Sequence, residues 1–154
     1  MNKQKICVTV KTQTLDLLSA GGQLIKSYKI STSRFGLGTE AGSNKTPLGN
    51  FRVTEKIGDG AKPGEIFQSR IPTGKYGKDG DPADYVQTRI LWLDGLDSEN
   101  ANTHDRFIYI HGTNSESKLG TPVSFGCVRM SNLDVIDLYN RVDPGIEVEI
   151  KPGL

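Results

Sequence analysis

Two residues in this chain have both the chemistry and the local setting for nucleophilic catalysis. Cys127 follows a glycine in Ser124-Phe125-Gly126-Cys127-Val128-Arg129-Met130, and His111 ends an apolar run just before Gly112-Thr113-Asn114. A cysteine attacks as the thiolate, or becomes one during attack when an adjacent imidazole takes its proton. The oxyanion that then develops needs backbone N–H groups aimed at one point. Those of Phe125, Gly126 and Cys127 are the natural donors, and Gly126, lacking a Cβ, lets the backbone approach a substrate closely. The imidazole needs a partner on its other nitrogen to fix its tautomer, for which the Gly112 carbonyl is a candidate. Arg129 adds a forked cation suited to a carboxylate.

Each of these residues, taken singly, has a blander reading. A cysteine before an apolar residue is more often a buried structural thiol, a lone histidine a strand-end side chain, and an arginine a surface charge. Cys7 lies in a strand-like run and reads as a small buried hydrophobe. Two thiols make no disulfide scaffold in a chain of this size, although one Cys7–Cys127 bridge stays open. His104, in the polar run Asn-Thr-His-Asp, reads as solvated. No pair among His104, His111, Cys7 and Cys127 has zinc-type spacing, so no metal and no cofactor is expected.

The elements that must position these residues are mostly strands. Lys5–Lys11 alternates Ile6, Val8 and Val10 on one face, and Thr14–Ser19 follows. Gly21-Gly22 then turns the chain into Gln23–Ser31, a hairpin or meander signal. Thr32–Asn50 reads as loop, Phe51–Ile57 as strand, and Gly58–Tyr85 as a long glycine- and proline-rich loop without periodicity. A structureless segment of that length needs a functional reason, such as a wall over a site. Within it Arg70 is the expected contact for a substrate carboxylate. Thr88–Leu93 reads as a strand, Asp94–Asp105 as polar loop, and Arg106–Ile110 as the strand that delivers His111. One substantial helix is predicted over about 131–142, with Ser131 as N-cap, Asp134 three residues on, and Leu133, Val135, Ile136 and Tyr139 at helical spacing. Pro144-Gly145 stops it, and Ile146–Ile150 closes the chain as a strand. The expectation is one domain over residues 1–154, mainly β.

Composition narrows the function classes. The 154 residues carry a formal net charge of +1, which gives no electrostatic argument for nucleic acid or an anionic membrane as partner. No apolar window approaches the length of a membrane span. Met1–Ala20 is interrupted by polar residues throughout and lacks the core of a secretory signal, so the chain as it stands reads as cytoplasmic, and as periplasmic or wall-bound had a signal been removed.

The ordered run His111-Gly112-Thr113, then Ser124-x-Gly126-Cys127-Val128-Arg129-Met130-Ser131-Asn132 and a helix, closely resembles the L,D-transpeptidase (YkuD-type) catalytic domain. Ser31-Thr32-Ser33, Thr46-Pro47-Leu48-Gly49-Asn50-Phe51 and the terminal Ile146–Ile150 also look like that family's landmarks, so the resemblance spans nearly the whole chain. It implies a mixed β-sheet or sandwich fold with Cys127 as nucleophile and His111 as base. Gly112 would orient the histidine, Phe125 and Gly126 would serve the oxyanion hole, and Arg129, Ser124, Thr113 and Asn114 would support the site or bind substrate. The family usually has a second histidine where this chain has Phe125. The implied substrates are peptidoglycan stem peptides or muropeptides. The family attacks the L-centre carbonyl of the diamino acid at position three and releases the terminal D-alanine. Water then completes an L,D-carboxypeptidase reaction, the reading that a cytoplasmic location favours, whereas an amine from another stem gives a crosslink. The reading from another class is a non-catalytic peptidoglycan-binding module.

These readings separate cleanly by mutation. Cys127→Ala and Cys127→Ser are expected to abolish turnover of a stem tetrapeptide with the fold retained, and Cys7→Ala to leave it largely intact. Near-normal turnover in Cys127→Ala, measured by release of D-alanine, would overturn the assignment.

Overall fold

Because successive residues of a strand face opposite sides of a sheet, the alternation of Ile6 and Val8 in β1 (Lys5–Thr9), and of Leu15 and Leu17 in β2 (Thr14–Leu18), marks the face turned to the core. A computed structural model describes residues 3–153. The further strands among these are β3 (Leu24–Ser31), β4 (Gly49–Ile57), β5 (Glu65–Gln68), β6 (Ile71–Tyr76), β7 (Val86–Gly95), β8 (Tyr109–Gly112), β9 (Val128–Met130) and β10 (Glu147–Lys151). They are joined by one α-helix, α1 (Asn132–Arg141).

The sheet runs in the order β4-β10-β1-β2-β3-β9-β8-β7-β5-β6, and β4 also pairs with β7. That extra pairing closes the strands from β4 round to β7 into a barrel-like ring, with the β5–β6 hairpin left outside as an extension of β7. Two pairings are parallel, β1 with β10 and β8 with β9; the others are antiparallel. The mixed, mainly β architecture with one main helix is thus the one expected.

The main core fills the ring with Ile6, Val8, Leu15, Leu17, Ile30, Phe51, Val53, Leu91, Leu93, Ile110, Val128 and Met130. α1 packs against β7 and β8 and adds Val135, Leu138 and Tyr139 to it. Its first turn is capped twice, by Ser131 Oγ, which accepts from the Asp134 N–H at 3.1 Å, and by the Glu116 carboxylate, which accepts from the Asn132 N–H at 2.7 Å. β7 is buried on both faces. Leu91 and Leu93 face the ring, while Ile90 and Trp92 join Phe67 and Tyr109 in a second, outer cluster against which Cys127 packs.

Four expectations are corrected. Gly58–Tyr85 is not structureless, since it contains β5 and β6. Every residue of β6 is exposed and it holds Pro72 and Gly74, which an edge strand tolerates. The hairpin turn uses Ser69 and Arg70, at φ 48° and 67°, instead of the usual Asn-Gly. Arg106 and Phe107 are not strand: His104–Arg106 forms a 3₁₀ turn and Phe107 caps it in the left-handed region. Cys127 leads into a short strand, β9, where no strand was expected. Leu133 faces solvent at 70% exposure, and Leu138 takes the core position instead.

That last correction is testable by chemical denaturation. Leu133→Lys should change stability by no more than about 0.5 kcal/mol, whereas Leu138→Ala should cost about 2–5 kcal/mol.

Candidate active site

In β8 the side chain of Ile110 enters the ring, so Tyr109 and His111 must lie on the outer face. In β9, Val128 and Met130 enter the ring, so Arg129 must lie outside as well. The parallel register sets His111 directly opposite Arg129. Both are almost wholly buried, at 2% and 4% exposure, and the segment 77–85 reaches this face through Asp84, which pairs with Arg129.

The His111 ring is held by its own backbone. Nδ1 lies 2.6 Å from the Gly112 carbonyl. A carbonyl only accepts, so Nδ1 carries the proton and Nε2 is the basic nitrogen. Residue 112 must be glycine, since a Cβ there would lie 2.6 Å from Asn132 Oδ1 and 2.7 Å from the Gln87 carbonyl. Asn132 Oδ1 accepts from Thr88 Oγ1 at 2.6 Å and from Gln87 Nε2 at 3.2 Å, while its Nδ2 donates to the Thr113 carbonyl. The start of α1, the irregular part of β7 and the end of β8 are thereby tied together.

Cys127 is placed by a turn that Ser124 locks. Ser124 Oγ donates to the Cys127 carbonyl at 2.6 Å and accepts from the Gly126 N–H at 3.2 Å. Gly126 sits at φ 123°, which favours glycine. Its carbonyl accepts from Thr46 Oγ1 at 2.9 Å. The half-buried Cys127 thiol accepts from the Tyr109 N–H at 3.3 Å and donates to the Phe107 carbonyl at 3.4 Å. At rest the thiol is therefore bonded to the backbone two and four residues before His111, not to the imidazole.

Electrostatics keep this pair neutral at rest. Burial lowers the His111 pKa below its ordinary value, although the Asp84 charge and the Gly112 bond act the other way; Arg129 lowers it further. Burial also pushes the Cys127 thiol up, to about 11, and Asp84 raises it too; the Tyr109 N–H, Arg129 and Arg106 only partly offset this.

The remaining expected residues divide by role. Ser124, Thr113 and Asn114 are buried and spend their polar groups within the protein. The Thr113 N–H donates to the Met130 carbonyl, and Thr113 Oγ1 accepts from the Ser115 N–H. Asn114 pins the overlying segment, with Nδ2 2.8 Å from the Ala83 carbonyl and Oδ1 3.1 Å from the Tyr85 nitrogen. Phe125 is 45% exposed and packs edge-on against Phe35, with ring centroids 5.6 Å apart. Arg70 lies over Trp92 and Phe107, 4.6 and 5.5 Å from the ring centroids, and donates to the Tyr109 hydroxyl at 3.1 Å. It thus borders the same residues that hold the thiol. His104 is not simply solvated, for it stacks on Trp92 at 3.9 Å. Both cysteines are free. Among the described residues no group of three or more His, Cys, Asp and Glu converges.

Two residues of the site escaped the sequence reading. Arg106 donates to the Lys45 carbonyl at 2.7 Å and the Gly38 carbonyl at 3.3 Å, clamping the loop that backs Gly126. Asp84 forms an ion pair with Arg129 at 2.8 Å. Neither has a local motif; both contacts depend on chain segments brought together by the fold.

The neutral resting pair makes a prediction for thiol chemistry. Iodoacetamide alkylation of Cys127, followed by intact-protein mass spectrometry, should accelerate as pH rises and show no plateau below about pH 10, as a thiol pKa of about 11 requires. A plateau at pH 6–7 would mean a preformed thiolate–imidazolium pair and would contradict this geometry.

Comparison with known proteins agrees with the fold. A Bacillus licheniformis protein provisionally assigned as the L,D-transpeptidase YkuD is 51% identical over 148 residues, covering 96% of this chain and 66% of its own. The Bacillus subtilis protein with the same assignment is 29% identical and covered to 64%, so the chain spans roughly two-thirds of these relatives. Among solved structures, an L,D-transpeptidase from Mycobacterium smegmatis superposes with a TM-score of 0.63 at 17% identity, covering 97% of this chain and 58% of that one. The family described as the L,D-transpeptidase catalytic domain matches residues 3–150. A match over that span settles descent: the chain belongs to the L,D-transpeptidase catalytic-domain family of the YkuD type.

Proposed function

We propose that this protein is a cysteine acyl-transfer enzyme acting on peptidoglycan stem tetrapeptides, with Cys127 as nucleophile and His111 as base. The observation that carries the proposal is the fixed Nδ1–Gly112 bond, which leaves Nε2 basic on the same face as the Cys127 thiol. Proton transfer between them requires the thiol to turn from the Phe107 carbonyl toward the imidazole. As Sγ attacks the L-centre carbonyl of the position-three diamino acid, its proton passes to Nε2. The oxyanion is met by the N–H groups of Phe125 and Cys127, since that of Gly126 is committed to Ser124. His111 then protonates the departing amine, D-alanine leaves, and a thioester remains on Cys127.

Water, with His111 as its base, then resolves the thioester; the thiol it must reach is only partly buried. The product is a tripeptide, as muropeptide recycling requires. The second reading, transfer to an amine of another stem, is supported by the transpeptidase assignment of the relatives. A cytoplasmic setting accompanies the hydrolytic reading and a wall-facing one the transfer reading. No helix among the described residues is long and apolar enough to cross a membrane.

Incubation with a disaccharide tetrapeptide should accumulate tripeptide and free D-alanine by mass spectrometry. A crosslinked dimer as the main product would favour the amine acceptor, and neither product would overturn acyl transfer. A carbapenem, a strained amide, should add its mass to the wild-type chain and not to Cys127→Ala; an adduct on Cys7 would count against the assignment. An L,D-transpeptidase 3 of Mycobacterium tuberculosis, with TM-score 0.62 at 18% identity, is described in complex with a faropenem-derived adduct.

A further inference from the structure

Arg106 ends the 3₁₀ turn His104–Arg106, and the Phe107 N–H closes that turn on the His104 carbonyl at 3.0 Å. Phe107 then takes φ 57°, a left-handed conformation that reverses the chain. Its carbonyl meets the Cys127 thiol, while the Arg106 side chain enters the loop 36–46. That loop is closed at its neck, where the Gly38 N–H donates to the Thr46 carbonyl and the Thr46 N–H to the Gly36 carbonyl. Inside it the guanidinium spans three acceptors. Nη2 donates to the Lys45 carbonyl at 2.7 Å and to Ser43 Oγ at 3.4 Å, and Nη1 donates to the Gly38 carbonyl at 3.3 Å. A planar fork serves separated acceptors at once, which the compact ammonium of a lysine does not.

These partners are all neutral. Among the described residues Arg106 forms no ion pair; Glu40, whose charge favours the guanidinium, is exposed and lies beyond pairing distance. A half-buried cation without a counter-ion is costly to keep. The site itself generates the missing negative charge when Cys127 ionises. Arg129 and Arg106 are the two cations that favour the ionised thiol, against burial and the Asp84 charge. Arg129 is already paired with Asp84 at 2.8 Å, so Arg106 is the one of the two whose charge stays unpaired.

The same loop supports the turn that carries the nucleophile. Thr46 Oγ1 donates to the Gly126 carbonyl at 2.9 Å. A Cβ on Gly126 would lie 3.4 Å from the Lys45 carbonyl oxygen, the oxygen that Arg106 holds from its other side. Loss of the guanidinium would free that carbonyl and, with it, the surface on which residues 124–127 rest.

We propose that Arg106 is a positioning residue for acyl transfer at Cys127: its fork fixes the loop beneath the oxyanion turn, and its unpaired charge favours the thiolate as it forms. The proposal rests on the acyl-transfer reading for the reaction, and not for the effect of the charge on the thiol.

The two actions separate by substitution, because Arg106→Lys keeps the charge and loses the fork, whereas Arg106→Gln loses both. Two quantities are measured on the full chain. The first is iodoacetamide alkylation of Cys127 at about pH 9, where the rate follows the thiolate fraction. The second is kcat and KM for D-alanine release from a stem tetrapeptide. Arg106→Gln should slow alkylation about threefold or more, while Arg106→Lys stays within about twofold of the wild-type rate. Both should lower kcat about tenfold or more, Gln further than Lys, with KM changed by less than about threefold, as a displaced oxyanion turn requires. Melting temperatures report that the fold persists. A fall in melting temperature with alkylation and kcat unchanged in both variants leaves Arg106 a loop clamp and overturns the proposal. Equal alkylation rates in Lys and Gln variants overturn the part played by charge, and an unchanged kcat in Arg106→Lys overturns the part played by the fork. Should Arg106→Gln fail to fold, Arg106→Lys decides alone: kcat must fall while alkylation holds, and any other combination overturns the proposal. Absence of turnover in the wild-type chain would remove the acyl-transfer reading instead, with the alkylation rates still deciding whether Arg106 acts on the thiol.

Discussion

The parallel pairing of β8 with β9 is the constraint on which the site depends. It sets Ile110 opposite Val128 in the core and His111 opposite Arg129 outside it. A slip of one residue would turn the imidazole into the ring and the isoleucine out of it, so the hydrophobic pattern of two short strands fixes the position of His111. Parallel strands cannot be joined by a tight hairpin and need a crossover. Residues 113–127 supply it, and they hold Thr113, Asn114, Ser124, Gly126 and Cys127. The connection that the topology demands is thus the segment that pins the overlying loop and delivers the thiol.

Covering that outer face creates an electrostatic problem. His111 and Arg129 are almost wholly buried and the Cys127 thiol partly so. The protein answers each differently. The imidazole becomes harder to protonate, the thiol stays protonated, and the guanidinium, which cannot give up its charge, draws in Asp84. In the acyl-transfer reading proposed above, the thiol would stay silent until a carbonyl arrives to accept electron density, at which point proton transfer to Nε2 and attack would proceed together. A resting thiol oxidises less readily than a thiolate, so the same burial that slows unproductive chemistry preserves the residue for the productive one.

Much of this was legible in the sequence. The strand alternation in Lys5–Lys11 and Phe51–Ile57, the Ser131 cap and the Gly-Cys and His-Gly motifs are local signals, and local physics reads them directly. What escaped was non-local. β6 has no buried face, so it carries no alternation to detect. Arg106 follows the polar loop and precedes Phe-Ile-Tyr-Ile, so it looked like the first residue of a strand, while the left-handed Phe107 that separates it from β8 leaves no signature. Leu133 was placed in the core by helical spacing, but Val135, Leu138 and Tyr139 set the buried stripe one step round the helix. Asp84 carries no local signal, and only the fold shows that its carboxylate meets a buried arginine.

The least expected feature lies near the start of β7. Thr88 is β-branched yet sits at φ 77°, a region that such residues rarely enter, at a cost of roughly 1–3 kcal/mol. Strain of that size persists only where the surroundings over-determine it. Here the hydroxyl does so, accepting from the Gly64 N–H at 2.9 Å and donating to Asn132 Oδ1 at 2.6 Å, while the Thr88 carbonyl accepts from Arg89 at 2.7 Å. The distortion falls where the β7–β8 register shifts, between the pairs Gln87–Gly112 and Ile90–His111. It therefore lies opposite the His111–Gly112 step, next to the Gly112 carbonyl that meets Nδ1. A regular antiparallel ladder would engage that backbone in paired hydrogen bonds; the shift interrupts the ladder beside His111. Glycine would relieve the strain at position 88 but could not make the two side-chain bonds that tie the loop at Gly64 and the start of α1 to β7, the neighbour of the histidine's strand. Threonine is the residue that can be bent into this conformation and also hold it there.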